Sequence, residues 1–249
     1  MEQFLLFGDS ITQHGCSQMK GFALVPAIQE SYIRRLDVIN RGFSGYNTEQ
    51  ALKILPKFFP APAQSRVRLL TIFFGANDAR LPDTPGYPQT VLLEQFRKNI
   101  ASIATQACVQ AHNPQIIVIT PPPVDERLCL QNDQQNGINV QRRTAANTAA
   151  YAEAVREVGS QLNLPVLDIW DAFMHEAGWQ QGQALPGSSD IPQNEVLVRL
   201  LYDGLHLSPE GYRVMHRELM GLIARQVPDH SPERIPWVFP AWDDAGAWS

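Results

Sequence analysis

Short apolar stretches recur along this chain, and amphipathic segments with helical spacing separate them. The stretches are FLLF from residue 4, DVIN from 37, VRLLTIFF from 67, QIIVIT from 115 and PVLDIW from 165. Strands that alternate with helices pair in parallel, because each helix carries the chain back to the same end of the sheet. The pattern predicts a three-layer α/β/α fold with a flavodoxin-like, doubly wound sheet of about five parallel strands.

The segments between the stretches predict helices and two long loops. Helical spacing of apolar residues predicts helices over 21–36, 48–59, 90–108, 142–162 and 208–226. Two segments, roughly 124–140 after the fourth strand and roughly 180–203 before the last helix, are predicted to be loops. Loops of this length in a compact domain are typically functional or mobile.

No internal repeat, low-complexity segment or linker divides the 249 residues. Because α/β folds of this length are commonly single domains, residues 1–249 are predicted to form one domain. A tail rich in aromatic residues and proline begins at about residue 228 and includes Trp237 and Trp242. Such side chains are unfavourable in water, so we expect the tail to pack on its own subunit or on a partner subunit of a homodimer.

The charge of the chain excludes some classes of partner. The formal net charge is −5, and the doublets Arg34-Arg35 and Arg142-Arg143 are isolated pairs, not parts of a basic stripe. Nucleic acids and anionic membranes attract basic surfaces, so neither is an expected partner. The charge of the chain does not exclude small neutral molecules as substrates.

Cysteine usage and the length of the apolar runs bear on location. Cys16, Cys108 and Cys129 are odd in number and lack C-x-x-C spacing, which favours neither a disulfide framework nor a zinc site. The first strand begins at about residue 4, which leaves no room for a signal peptide. No apolar run reaches the length of about 18 residues that spans a membrane. A cytoplasmic protein without a membrane span is therefore predicted.

Glycines and polar residues follow directly after several predicted strands. The segments are Gly8-Asp9-Ser10, Gly42-Phe43-Ser44-Gly45, Gly75-Ala76-Asn77-Asp78 and, after the fifth strand and its loop, Asp203-Gly204-Leu205-His206. In an open parallel sheet the carboxyl ends of the strands share one edge, and ligands bind there. A hydroxyl, an imidazole, a carboxylate and two candidate oxyanion donors at one edge are the groups needed for acyl transfer through a covalent intermediate.

Each of these segments, taken alone, also has a purely structural interpretation. Asp9 and Ser10 are of the residue types that cap a following helix, and Asn77 is an ordinary turn residue. Asp203 and His206 have the spacing at which a turn brings a carboxylate to one ring nitrogen, but a surface helix entry has the same spacing. Only their joint occurrence distinguishes the two interpretations.

Other catalytic motifs do not occur in the sequence. Ser44 is a rival nucleophile, but no G-x-S-x-G motif surrounds it. The six histidines form no H-E-x-x-H motif or other ligand cluster, so a metallohydrolase is disfavoured. Neither a P-loop nor a G-x-G-x-x-G motif is present. A non-catalytic, flavodoxin-like binding module that holds a phosphate at Ser10 and the start of the first helix stays as an alternative of a different class.

Taken together, four of the segments resemble the blocks of one family, the SGNH hydrolases, also called GDSL-type esterases and lipases. GDSIT is similar to its first block, GFSGYN to its second, GAND to its third and DGLH to its last, in the same order along nearly the whole chain. Within the family the chain is most similar to the isoamyl acetate-hydrolysing esterases, through FLLFGDSIT, RGFSGYNT, ALKILP, TIFFGANDA and TPPPVDE. The one departure in the first block is Ile11 in place of leucine.

The resemblance implies a role for each of five residues and a class of substrate. Ser10 would be the nucleophile, His206 the base, and Asp203 the group that orients the imidazole. The backbone N–H groups of Ser10 and Gly45 and the side-chain amide of Asn77 would form the oxyanion hole. The resemblance implies a serine carboxylester hydrolase for small acyl esters, acetate esters above all, without a metal or an organic cofactor. Sugar acetylesterase, thioesterase and lysophospholipase activities occur on the same scaffold and stay as alternatives.

Overall fold

A parallel sheet of five strands forms the centre of the protein in the computed structural model, which describes residues 1–248. The strands are β1 (Gln3–Gly8), β2 (Asp37–Gly42), β3 (Val67–Phe73), β4 (Gln115–Ile119) and β5 (Val166–Leu167). They lie in the order β2-β1-β3-β4-β5, and every neighbouring pair is parallel. Successive strands are added to one side of β1 and then to the other, so the winding of the sheet changes direction between β1 and β3. Doubly wound sheets bind their ligands at this point.

Helices lie between the strands and after the last one. They are α1 (Ser10–His14), α2 (Leu24–Ser31), α3 (Thr48–Phe58), α4 (Leu93–Thr105), α5 (Ala107–Gln110), α6 (Glu126–Gln135), α7 (Ala145–Gln161), α8 (Ile169–Glu176), α9 (Glu195–Leu200) and α10 (Pro209–Gln226). Short 3-10 helices follow at Pro228–His230 and Ala245–Ala247. Within residues 1–248, no helix combines the length and the apolar character needed to cross a bilayer.

The helices cover both faces of the sheet. Leu5 and Phe7 of β1 pack with α3, α4 and α7, whereas Phe4 and Leu6 pack with α2, α8 and α10. Successive side chains of a strand face opposite sides, so an uninterrupted apolar run needs a cover on each side. The two apolar clusters form the core, and the predicted three-layer α/β/α fold with five parallel strands is confirmed.

Gly8 allows α1 to lie close against the end of β1. A Cβ atom on Gly8 would lie 2.0 Å from Thr12 Oγ1, so no other residue fits there without a shift of the helix. Asp9 ends the strand and caps α1, because its Oδ1 accepts a hydrogen bond from the Ile11 N–H at 2.9 Å. Ser10 therefore begins the helix, directly at the carboxyl edge of the sheet.

The two segments predicted to be long loops each contain a helix. Residues 124–140 contain α6, which Asp125 caps by accepting a hydrogen bond from the Leu128 N–H at 2.9 Å. Residues 180–203 contain α9, which Asn194 caps in the same way. The prediction was wrong because α6 buries few apolar side chains, and because α9 has only six residues, too few to show a helical spacing of apolar residues.

The helix predicted over 21–36 is shorter, at Leu24–Ser31, and the one predicted over 142–162 begins at Ala145. Two further elements also differ from the prediction. PVLDIW is a strand only over Val166–Leu167, because Asp168 caps α8 by accepting a hydrogen bond from the Asp171 N–H at 3.0 Å. The helix predicted over 90–108 is divided into α4 and α5, because the backbone of Gln106 between them is extended. Neither difference changes the order of the strands.

The tail after residue 228 contacts the loop that follows α2. The Val238 N–H donates to the Arg34 carbonyl at 2.9 Å, and the Arg34 guanidinium lies 4.1 Å from the centre of the Trp237 ring. Arg34 also donates to the Pro240 carbonyl at 2.5 Å. Trp242, by contrast, is 86% exposed. Part of the tail thus packs on its own subunit, and a partner subunit for the exposed aromatic side chains stays a prediction.

Candidate active site

Ser10, His206 and Asp203 form a continuous chain of hydrogen bonds at the carboxyl edge of the sheet. The Ser10 hydroxyl lies 2.8 Å from His206 Nε2, and His206 Nδ1 lies 2.7 Å from Asp203 Oδ2. Ser10 comes from the start of α1, and the other two residues come from the turn between α9 and α10. The structure therefore brings together the three residues that the sequence singles out as nucleophile, base and orienting carboxylate.

The turn that carries Asp203 and His206 is held by its own backbone and by α6. Asp203 Oδ1 accepts hydrogen bonds from the N–H groups of Leu205 and His206, at 3.0 and 2.7 Å. Gly204 has φ +84°, and a Cβ atom there would lie 2.6 Å from the Asp125 carbonyl oxygen. The Asp125 N–H donates to the Gly204 carbonyl at 2.9 Å. Only glycine meets both the conformation and the close approach, so the turn is fixed on α6.

The environment of Asp203 favours its charged form. Burial acts to raise the pKa of this carboxyl, but the hydrogen bond and the charge of His206, together with the backbone N–H donors, lower it. The net effect holds the pKa of Asp203 below its ordinary value of 3.8. The His206 ring is flanked by the rings of Tyr202 and His14, whose centres lie 5.9 and 5.2 Å away. The imidazole is thus held between a carboxylate and two neighbouring rings.

Ser10, Gly45 and Asn77, the predicted oxyanion donors, line one cleft of about 200 Å³ together with His206. Ser10 is the first residue of α1, so its N–H is among those that a helix leaves without an intrahelical acceptor. Gly45 donates its N–H to no acceptor in the described chain. Asn77 Nδ2 donates to the Tyr46 carbonyl at 2.9 Å, which leaves its second hydrogen available. The cleft therefore holds donors suited to a negatively charged oxygen.

Ser44, the rival nucleophile, lines the same cleft but lacks a base. Its backbone N–H donates to Gln13 Oε1 at 2.8 Å, and its side chain is exposed. Among the serines of residues 1–248, only Ser10 has a hydroxyl that is hydrogen-bonded to a histidine side chain. A serine hydroxyl is a weak nucleophile without an adjacent base, so the geometry favours Ser10.

No sequence signal marks two further side chains of the cleft. Gln89 Nε2 donates to the Gly45 carbonyl at 2.8 Å and to Asn77 Oδ1 at 3.1 Å. Arg143 is only 8% exposed, and its Nη2 lies 3.5 Å from Asn77 Oδ1. Gln89 lies in a segment without regular structure, and Arg143 is visible in the sequence only as half of an isolated basic pair. Both side chains belong to the cleft through contacts with residues that are distant from them in the sequence.

Two buried carboxyl groups adjoin the site, Asp9 before Ser10 and Asp78 after Asn77. Burial raises the pKa of Asp9 to about 6 and that of Asp78 to about 7, although hydrogen bonds act in the opposite direction. Asp78 Oδ1 accepts hydrogen bonds from the Thr48 N–H and hydroxyl, at 2.9 and 2.5 Å. Asp78 Oδ2 has no hydrogen-bond partner among the described residues. A charge on Asp78 is therefore costly.

The arrangement has the parts of a serine hydrolase. A histidine within hydrogen-bond distance activates a serine hydroxyl, a carboxylate orients the histidine, and N–H donors stabilise the tetrahedral intermediate. For a metal ion, the described part of the chain offers no group of three or more His, Cys, Asp or Glu side chains. The fold and the site together define the class of serine hydrolases built on a doubly wound sheet.

Known proteins with similar sequences and structures belong to this class. Residues 6–214 match the GDSL-like lipase/acylhydrolase family. The chain is 32% identical to an isoamyl acetate-hydrolysing esterase of Saccharomyces cerevisiae, over 98% of this chain and 94% of that protein. It is 34% identical to an isoamyl acetate-hydrolysing esterase 1 homolog of Bos taurus, over 96% of this chain and 86% of that protein. A solved lipase/acylhydrolase of Enterococcus faecalis has 25% identity and a TM-score of 0.60, over 95% of this chain and 98% of that one.

This chain belongs to the GDSL-like lipase/acylhydrolase family, and it is a carboxylic ester hydrolase. The resemblance to the SGNH hydrolases, and within them to the isoamyl acetate-hydrolysing esterases, is confirmed. The matched range begins in β1 and ends in α10, so it includes every segment of the site from Ser10 to His206.

Proposed function

We propose that this chain hydrolyses small acyl esters, acetate esters above all, through a covalent acyl-Ser10 intermediate. The observation that carries the proposal is the hydrogen-bonded chain from Ser10 through His206 to Asp203, with distances of 2.8 and 2.7 Å. A nucleophile, a base and an orienting carboxylate in this order are what an activated serine requires.

In the first half of the reaction, Ser10 Oγ attacks the ester carbonyl carbon while its proton moves to His206 Nε2. The carbonyl oxygen becomes negatively charged, and the N–H groups of Ser10 and Gly45 and the amide of Asn77 stabilise it. His206, protonated and held by Asp203, then delivers its proton to the alcohol oxygen. The bond between the acyl carbon and that oxygen breaks, the alcohol leaves, and the acyl group stays on Ser10.

In the second half, a water molecule takes the place of the alcohol. His206 accepts a proton from the water as it attacks the acyl carbon, and the same donors stabilise the second tetrahedral intermediate. The Ser10 oxygen leaves with the proton from His206, and the carboxylic acid is released. Asp203 keeps the proton on Nδ1 throughout, so Nε2 alternates between acceptor and donor.

The relatives and the size of the cleft support small acetate esters as substrates. The yeast and bovine proteins are named for the hydrolysis of isoamyl acetate. The cleft measures about 200 Å³, which is small for a long acyl chain. A panel of acetate, butyrate and octanoate esters, an acetylated sugar and an acyl thioester tests this by kcat/KM. We expect the highest kcat/KM for acetates of small alcohols. A higher kcat/KM for another substrate of the panel would favour an alternative activity.

Two matched serine variants test the proposed nucleophile. Ser10→Ala should lower kcat by at least about a thousandfold and leave the melting temperature near that of the wild type. Ser44→Ala, which alters a serine of the same cleft, should change kcat little. The reversed result, with a large loss in Ser44→Ala and none in Ser10→Ala, would refute the assignment of the site.

Two further parts of the proposal concern location and assembly. We propose a reducing, cytoplasmic location, and its support is that Cys16, Cys108 and Cys129 are free thiols.

We also propose a homodimer that covers exposed aromatic side chains of the tail, Trp242 among them. Sedimentation velocity of the full chain tests the dimer. A species of twice the chain mass is expected, and a monomer at every concentration would contradict the proposal.

A further inference from the structure

We infer that Gln89 is a positioning residue that holds two of the three oxyanion donors in place, an inference that rests on the proposed function. Its Nε2 lies 2.8 Å from the Gly45 carbonyl oxygen and 3.1 Å from Asn77 Oδ1. An amide nitrogen carries two hydrogens, so both contacts can be hydrogen bonds at once. Gly45 follows β2 and Asn77 follows β3, and these strands lie on opposite sides of β1. Because β2 and β3 are not paired, hydrogen bonds join the two loops: one from Asn77 to the Tyr46 carbonyl, two from Thr48 to Asp78 and the two from Gln89.

For Asn77, the contact with Gln89 and the contact with the Tyr46 carbonyl together fix which end of the amide faces the cleft. Asn77 Nδ2 donates to the Tyr46 carbonyl at 2.9 Å, and Asn77 Oδ1 accepts from Gln89. If Oδ1 lacked a donor, only the hydrogen bond to the Tyr46 carbonyl would oppose a half-turn of the amide, which would present its oxygen to the substrate and repel the oxyanion. Arg143 Nη2, at 3.5 Å, lies at the limit of a hydrogen bond to Oδ1. Gln89 is therefore the principal donor to this oxygen.

For Gly45, the contact with Gln89 fixes a peptide in a turn outside the sheet. Gly45 has φ +82°, a region that glycine enters readily and that leaves the backbone mobile unless other groups hold it. The Ser44 N–H is bound to Gln13 Oε1 at 2.8 Å, and the Gly45 carbonyl is bound to Gln89. The peptide that carries the Gly45 N–H lies between these two contacts, so it is held from both sides.

Gln89 is itself anchored, as a positioning residue must be. Its Oε1 lies 3.4 Å from Nη1 of Arg80, a side chain that is 3% exposed. The same Nη1 donates to the Tyr87 carbonyl at 2.9 Å, which ties the segment before Gln89 to the loop after β3. Asn47 Nδ2 donates to the Gln89 carbonyl at 3.0 Å. Both the backbone and the side chain of Gln89 therefore have fixed positions.

Gln89→Met tests the inference, because methionine keeps the approximate size of the side chain and removes both donated hydrogen bonds, together with the contact to Arg80. We expect kcat for p-nitrophenyl acetate to fall by about tenfold to a hundredfold, with KM changed less than about threefold, because the oxyanion exists only after the attack. Gln89→Glu also keeps the shape but places an acceptor against two oxygens, so its kcat should fall at least as far. If Gln89→Met does not fold, kcat of Gln89→Glu tests the inference in its place.

Gln50→Met is the matched control. Gln50 Oε1 accepts a hydrogen bond from the Asn47 N–H at 3.0 Å and helps to cap α3, in the same part of the molecule. The lost cap should lower the melting temperature slightly and leave kcat within about twofold of the wild-type value. A loss of kcat as large as that of Gln89→Met would mean that any loosening of this region impairs the enzyme, and it would overturn the inference.

A double variant with Asn77→Ala separates this inference from the proposed function. If Gln89 acts partly through Asn77, Gln89→Met should cost less kcat in the Asn77→Ala background than in the wild type. Full additivity, or a wild-type kcat in Gln89→Met beside an impaired Asn77→Ala, would overturn the role of Gln89 and leave the proposed function intact. A wild-type kcat in Ser10→Ala would overturn the proposed function itself.

Discussion

Asp203 and Asp78 both lie at the carboxyl edge of the sheet, yet their surroundings give the two carboxyl groups opposite properties. Asp203 accepts hydrogen bonds on both oxygens, one of them from His206 Nδ1, and its pKa lies below the ordinary value of 3.8. Asp78 accepts only from Thr48, on one oxygen, and burial raises its pKa to about 7. Burial acts to raise the pKa of both groups, but Asp78 is fully buried whereas the Asp203 side chain is 16% exposed, so the depth of burial and the partners together make the difference.

The comparison teaches that the depth of burial and a neighbouring charge together decide what a carboxyl group can do at this edge. Asp203 faces an imidazole that gains a proton during the reaction, and its negative charge stabilises that state. Asp78 has a buried oxygen without a partner among the described residues, so its protonated form is the less costly one. Asp203 is therefore suited to catalysis, and Asp78 is suited to holding the loop after β3 on Thr48.

Asp203→Asn should have the largest effect, because it removes the charge that distinguishes the two groups. Asparagine keeps an acceptor for the turn, but its Nδ2 cannot accept the hydrogen on His206 Nδ1. We expect kcat to fall by about ten-thousandfold, with the circular dichroism spectrum and the melting temperature near those of the wild type. Asp168→Asn is the control, because Asp168 caps α8 and pairs with Arg156. Equal losses of kcat in the two variants would break the comparison.

Asn77→Ala should have the next largest effect, and it concerns the residue directly before Asp78. Its amide would stabilise the oxyanion, so kcat should fall by about a hundredfold to a thousandfold while KM changes only a few-fold. Asn77→Asp should lower kcat at least as far as Asn77→Ala does, because a carboxylate would repel the oxyanion. A fluorophosphonate should still label Ser10 in both variants, at a lower rate. A rise in KM with an unchanged kcat would instead assign Asn77 to ground-state binding.

Asp78→Asn should have the smallest effect, on stability. The folded-state pKa of Asp78, about 7, lies above the ordinary value of 3.8. Between these values the native state holds a proton that the unfolded state releases, so the free energy of unfolding falls as the pH rises from about 4 to 7. The asparagine cannot ionise, but its new N–H also needs a partner. We expect the variant to gain roughly 2 kcal/mol over the wild type between pH 5 and pH 8.

Urea denaturation of the wild type and Asp78→Asn at both pH values measures this gain. Asp9, whose pKa is also raised and whose charge raises the pKa of Asp78, is present in both proteins, so the difference between them measures Asp78 together with its interaction with Asp9. A difference in the free energy of unfolding that does not change with pH would contradict a raised pKa of Asp78, and it would remove one side of the comparison.

The site residues that follow strands could be predicted, because the apolar pattern of the sequence locates those strands. Ser10 and Asn77 come shortly after β1 and β3, and a parallel sheet brings such positions to one edge. Gln89 could not be predicted, because its hydrogen-bond partners Gly45 and Asn77 are separated from it by 44 and 12 positions in the sequence. Its segment also has no periodic pattern. The helix α6 was missed for a related reason: it is held against the turn at Gly204 by Asp125, not by an apolar stripe.

The central claim is that Ser10 carries the acyl group during the reaction. Rapid mixing of the enzyme with p-nitrophenyl acetate, followed by an acid quench and peptide mass spectrometry, locates that group directly. We predict an added acetyl mass on the peptide that contains Ser10, and no such mass in Ser10→Ala. An acetyl group on the peptide that contains Ser44, with the peptide of Ser10 unmodified, would contradict the account.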